Sequence, residues 1–181
     1  MIKKLKSRAG LTLTELLVTM LILTLFSSAC VLGITTALRA RKDHIKLNDA
    51  DILASLVQNT ITDELRLCEN PEETDGGLSV TFKSSVYESV TLYIGDYEVE
   101  DGDGNKVPYP GRLYMKVNST SDTDPMMLLS NASYSHNTLK ITDPVFKING
   151  AVIEVSFEIK DINDMPLASR SFSVRPLNDI S

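Results

Sequence analysis

The sequence predicts an α+β protein: a long N-terminal α-helix, one half transmembrane and one half amphipathic, packed on a small antiparallel β-sheet domain. Three observations predict it. No charged residue occurs in the 23 positions from Leu16 to Leu38. No proline follows until Pro71. Beyond Pro71 the chain changes to short runs of β-type alternation.

The elements follow in order. Residues 1–10, MIKKLKSRAG, form a basic cytoplasmic leader carrying Lys3, Lys4, Lys6 and Arg8 and no acid. Such charges hold that end of an apolar segment in the cytoplasm. Residues 11–38 are the transmembrane segment. At about 1.5 Å per residue its uncharged part is long enough to cross a hydrocarbon core. It is rich in hydroxyls, among them Thr19, Thr24, Ser27, Ser28, Thr35 and Thr36. These can bond back to their own helix, and small residues let helices approach one another closely. One carboxylate, Glu15, stands almost at its start, where a charge near lipid is costly.

Residues 39–70 read as an amphipathic continuation of the same helix, about 55 residues and about 80 Å long in all. Ile45, Ile52, Leu53, Leu56 and Val57 share an arc of roughly 140° at 100° per residue, and this arc is expected to face the β domain. Asp49 and Asp63 fall inside the arc, while Leu47 and Leu65 fall opposite. Gly33 is the interior weak point and Glu69-Asn70-Pro71 the stop.

Residues 71–181 are expected to form the extracytoplasmic β-rich domain. EETDGG, residues 72–77, reads as a turn. Strands are expected at Leu78–Phe82, Val86–Ile94, Arg112–Val117, Met126–Leu129 and Val152–Ile159. In the last, Ile153, Val155, Phe157 and Ile159 alternate with Glu154, Ser156 and Glu158, the pattern of a half-buried strand. Asp161-Ile162-Asn163-Asp164 turns the chain, and Ala168–Val174 returns as its partner.

Charge and cysteine usage narrow the function. The whole chain carries −6, and beyond residue 10 there are 14 basic and 24 acidic residues. That balance argues against direct nucleic-acid binding, which needs clustered Lys and Arg. Cys30 and Cys68, on one continuous helix, would lie roughly 57 Å apart, too far for a disulfide.

The stretch Gly10-Leu11-Thr12-Leu13-Thr14-Glu15-Leu16-Leu17, behind its short basic leader, resembles the start of a type IV prepilin, the family of pilins and pseudopilins. The resemblance covers about 60 residues and implies a pilin-like fold. It implies cleavage by a prepilin peptidase between Gly10 and Leu11, and N-methylation of Leu11. It gives Glu15 an assembly role, pairing with the new amine of a neighbouring subunit. The implied partners are the peptidase, other pilin or pseudopilin subunits, an inner-membrane assembly platform and membrane lipid. No cofactor and no catalytic activity are implied. The implied location is a single-pass membrane protein with its C-terminal domain outside the cytoplasm, assembled into a pilus or a secretion or competence pseudopilus.

The chemistry suits that resemblance. Gly10 has no side chain, so a protease can hold the backbone closely. An ammonium and a carboxylate, each costly alone in a low dielectric, offset much of that cost when paired. The plainer alternative has Glu15 snorkelling to the interface or favouring the helix N-terminus through the dipole. Two departures point to a minor pilin or pseudopilin rather than a main subunit: Leu11 stands where the family most often has Phe, and Leu32-Gly33 where many major pilins have a mid-helix proline.

Other motifs are weaker. Phe26-Ser27-Ser28-Ala29-Cys30 resembles a lipoprotein cleavage site, which gives the alternative of a membrane-anchored or lipidated extracytoplasmic binding protein. Against it, the apolar run continues past Cys30. Asp101-Gly102-Asp103-Gly104-Asn105 begins like a calcium loop, but Lys106 replaces its glycine and Arg112 its closing glutamate. His44 and His136 lack a catalytic signature around them. Asn118-Ser119-Thr120 and Asn131-Ala132-Ser133 match the short glycosylation pattern.

Overall fold

The computed structural model describes residues 12–100, 106–118 and 125–177. Gly10, Leu11, the Asp101–Asn105 loop, Ser119 and Thr120 lie outside the described residues. The chain divides into two compact units, Met1–His44 and Ile45–Ser181.

In the first unit the described residues form the start of helix α1 (Leu13–Arg66). Every one of them is solvent-exposed, as apolar residues that face lipid would be. Their hydroxyls bond back to the helix. Thr19 donates to the Leu16 carbonyl at 2.9 Å, Ser27 to Leu23 at 2.8 Å and Thr36 to Leu32 at 2.8 Å. A hydroxyl with a backbone partner can face hydrocarbon without an unsatisfied donor. This is the one helix among the described residues long and apolar enough to cross a membrane.

Among the described residues the second unit holds the rest of α1 and eight strands. β1 (Glu69–Thr74), β2 (Ser79–Lys83), β3 (Val90–Glu100), β4 (Lys106–Val117) and β5 (Met126–Met127) form one antiparallel sheet in sequential order. β6 (Leu139–Asn149), β7 (Val152–Asp161) and β8 (Pro166–Val174) form a second. A 3-10 helix (Asn131–Tyr134) lies between β5 and β6. The small antiparallel β domain expected from sequence is thus built of two sheets. The β1–β2 hairpin joins them: the Phe146 amide donates to the carbonyl of Gly77 in its turn at 2.7 Å, and the Ile148 amide to the carboxylate of Glu73 on β1.

Both sheets share one core with the helix. The helix contributes Ala50, Leu53, Ala54, Val57, Ile61 and Leu65, all fully buried. These span about 120° at 100° per residue. The expected face is thus corrected. Leu53 and Val57 are buried as anticipated, but Ile45, Ile52 and Leu56 are exposed, and Leu65, expected opposite, is buried. The reason is size. Alanines at 50 and 54 let the helix sit close to its packing partners, so the burial centre rotates toward them and away from the bulkier Ile52.

Strand boundaries also move. β1 occupies half of the expected 72–77 turn, with Pro71 at a register shift on the edge of its sheet, where a missing N–H is tolerated. β3 starts at Val90 rather than Val86, after a turn in which the Ser84 amide donates to the Tyr87 carbonyl. β4 extends back to Lys106, and β5 is only two residues. The β7–β8 hairpin lies where alternation placed it, with Ile159 opposite Ala168 and Ile153 opposite Val174.

A fully buried arginine connects the sheets. Arg112 on β4 donates from Nη1 to the Leu139 carbonyl at 2.9 Å and to Pro110 at 3.1 Å, and from Nη2 to Asn137 Oδ1. Its guanidinium carbon stands 3.8 Å from the centre of the Tyr134 ring, a close cation–π contact. The Tyr134 hydroxyl accepts from the Leu113 amide at 3.0 Å. Burial depresses the arginine pKa and pushes that of Tyr134 up to about 12.

Candidate assembly site at the helix N-terminus

Helix α1 opens with Thr12 immediately before Leu13. A helix start leaves four backbone N–H groups without intrahelical partners, a serious cost near lipid. Thr12 and Glu15 supply partners to each other. The Glu15 amide donates to Thr12 Oγ1 at 3.3 Å. The Thr12 amide and hydroxyl both donate to Glu15 Oε2 at 3.1 Å. The Leu16 amide donates to the Thr12 carbonyl, closing the first turn at 3.1 Å.

This is a capping box, Thr-x-x-Glu, with Thr12 as cap and Glu15 in the third helical position. Sequence reasoning weighed Glu15 against lipid and the dipole but missed Thr12 as its partner. The signal was available in the spacing itself. The carboxylate therefore has a role within one chain, and any role between chains must compete with it or share it.

The other candidate residues are placed as follows. Cys30 lies within α1 with helix on both sides, and Val31, Leu32 and Ile34 after it are exposed. His44 is exposed on α1. His136 is exposed in a turn in which Ser135, His136 and Asn137 all take left-handed backbone angles, φ 47°, 53° and 72°. Asn118 donates through Nδ2 to Ser89 and Thr91. Asn131 opens the 3-10 helix, half-buried. Cys68 is buried against the core, which pushes its thiol pKa up to about 11. Among the described residues no group of three His, Cys, Asp or Glu side chains is placed to hold a metal.

The family described as the prokaryotic N-terminal methylation motif matches residues 5–31, the type IV prepilin signature. The matched segment contains Gly10, Leu11, Thr12 and Glu15 and most of the apolar run. No curated protein and no solved structure gives a match to the chain.

Proposed function

We propose that this chain, which carries the type IV prepilin signature, is the precursor of a pilin-like structural subunit, a minor pilin or pseudopilin. A prepilin peptidase removes residues 1–10 by cutting between Gly10 and Leu11, and the new amine of Leu11 is methylated. Residues 11–38 hold the subunit in the membrane and the helix continues beyond them to Arg66. Residues 71–181 stand outside the cytoplasm. The subunit joins others through its N-terminal helix into a pilus or pseudopilus, and it is a substrate of enzymes rather than an enzyme.

The observation that carries this reading is the match over residues 5–31, which contains a glycine junction with a glutamate five positions beyond it. The exposed stripe of Ile45, Ile52 and Leu56 in the second unit supports it. An assembled helix needs apolar surface that its own domain leaves uncovered. The rival reading, a lipidated binding protein cut before Cys30, is disfavoured by the unbroken helix through that residue.

The capping box sets the test. Gln at the third helical position still completes the box, but it carries no charge. Glu15→Gln should therefore leave insertion, cleavage and the helix start intact and abolish entry into filaments, because the ammonium of Leu11 loses its counter-charge. Thr12→Ala breaks the box and keeps the charge, so it should still assemble. Fractionation into membrane and sheared-filament pools reads both. If Glu15→Gln assembles at the wild-type level while Thr12→Ala fails, Glu15 is a cap and not an assembly residue.

A further inference from the structure

The tip of the β7–β8 hairpin is a rigid turn that presents apolar side chains to solvent. Asp161, 5% exposed, organises it. Asp161 Oδ1 accepts the Asn163 amide at 2.8 Å and the Met165 amide at 3.0 Å, and the Asp161 amide donates to the Met165 carbonyl at 3.0 Å. On this frame Ile162 and Met165 are 60% and 61% exposed. Both acids of the turn face lysines. Lys46 Nζ lies 3.8 Å from Asp161 Oδ2, and Lys140 Nζ 2.6 Å from Asp164 Oδ1.

Lys46 ties this tip to the part of α1 that belongs to the second unit, eight residues beyond Leu38, the end of the uncharged run. Even fully extended, the eight residues from Leu38 to Lys46 span no more than about 29 Å. Charge has the matching distribution. Residues 39–46 carry Arg39, Arg41, Lys42 and Lys46 against Asp43 alone, whereas residues 47–181 carry ten basic and 22 acidic residues. An anionic surface attracts the first group and repels the bulk of the second.

We propose that the β7–β8 hairpin tip docks on the bilayer surface, inserting Ile162 and Met165 among the headgroups while the basic 39–46 segment meets anionic lipid. The contact holds the unassembled subunit at the membrane in one orientation and is released when the subunit leaves the bilayer. It rests on the membrane-anchored reading of residues 11–38.

The chain contains no tryptophan, so Ile162→Trp and Met165→Trp each place a single reporter at the tip. Val86→Trp is the control. Val86 is 76% exposed and follows Lys83, which pairs with Glu69 just beyond the C-terminal end of α1. Full-length protein is reconstituted into vesicles containing phosphatidylglycerol, with plain or brominated acyl chains, and sedimented. Brominated lipid should lower emission at positions 162 and 165 roughly twofold and leave position 86 unchanged, with less quenching in zwitterionic vesicles or high salt. Sedimented protein with equal emission in plain and brominated vesicles at 162 and 165 would overturn the docking while leaving the anchor intact. Quenching equal at all three positions would overturn it as well. Protein that stays in the supernatant would overturn the anchor and the docking together.

Discussion

Ser135 donates a hydrogen bond to Asp49 across 2.8 Å, fixing a left-handed turn to the face of α1. Asp49 looked misplaced in a stripe of apolar residues, and this partner accounts for it. The next residue but one, Asn137, accepts from Arg112. One strained turn is thus held by the helix on one side and by the first sheet on the other. Each non-glycine residue in that conformation costs about 1–2 kcal/mol, which the anchors must offset.

Removing either end of the Asp49–Ser135 bond should lower stability by about 1–2 kcal/mol, since a charged acceptor is involved and the pair is part-buried. Asp49→Ala and Ser135→Ala combined should cost little more than the larger single loss. Thermal unfolding of the full-length protein in detergent measures the cycle; strict additivity would show that the two side chains do not interact.

Two glycines with similar backbone angles should respond differently to alanine. Gly111, φ 59°, lies where β4 crosses β6, and a Cβ there would meet the Ile141 backbone nitrogen at 2.7 Å. Gly150, φ 60°, begins the β6–β7 turn with open space around it. Gly150→Ala should cost about 1–2 kcal/mol, from the backbone alone. Gly111→Ala must also displace a strand and should prevent accumulation of folded protein. Equal midpoints for the two variants would contradict the close crossing.

Arg112 should resist conservative exchange. Lysine cannot reproduce a planar fork that bonds the Leu139 carbonyl and Asn137 while stacking on Tyr134. Arg112→Lys should therefore destabilise by several kcal/mol, and Arg112→Met, which buries no charge, by less. A denaturant midpoint lower for Met than for Lys would reverse this account.

The legibility of these features follows from their range along the chain. β7 was readable because its alternation is unbroken, and its partner β8 followed from the turn between them. β6 was not, since Asp143, φ 52°, and Pro144 sit at a register shift between Thr142 and Val145 that interrupts the period. The buried helix face was misread because alanine carries little hydrophobic weight, yet Ala50 and Ala54 set the distance of approach. Thr12–Glu15 was legible at three residues' spacing. Arg112 was not, because its partners lie 25 and 27 residues away.

Alkaline pH should destabilise the second unit through Cys68. Burial raises the folded thiol to about 11, above its unfolded value of about 8.5. Its stabilising contribution is complete below about pH 8.5 and is lost as pH rises toward the folded value, because the unfolded chain then releases more protons. The slope is at most about 1.4 kcal/mol per pH unit. Unfolding midpoints between pH 8 and 10 should fall for the wild type and less for Cys68→Ala. Identical pH profiles would remove Cys68 as the cause.

Processing and assembly as a prepilin can be read from the mass of the N-terminal peptide in the assembled fraction. That peptide should begin at Leu11, with one methyl group added to its amine. Gly10→Val should accumulate as uncut precursor in the membrane. A peptide in assembled material beginning at Met1, or one beginning at a lipid-modified Cys30, would contradict prepilin processing.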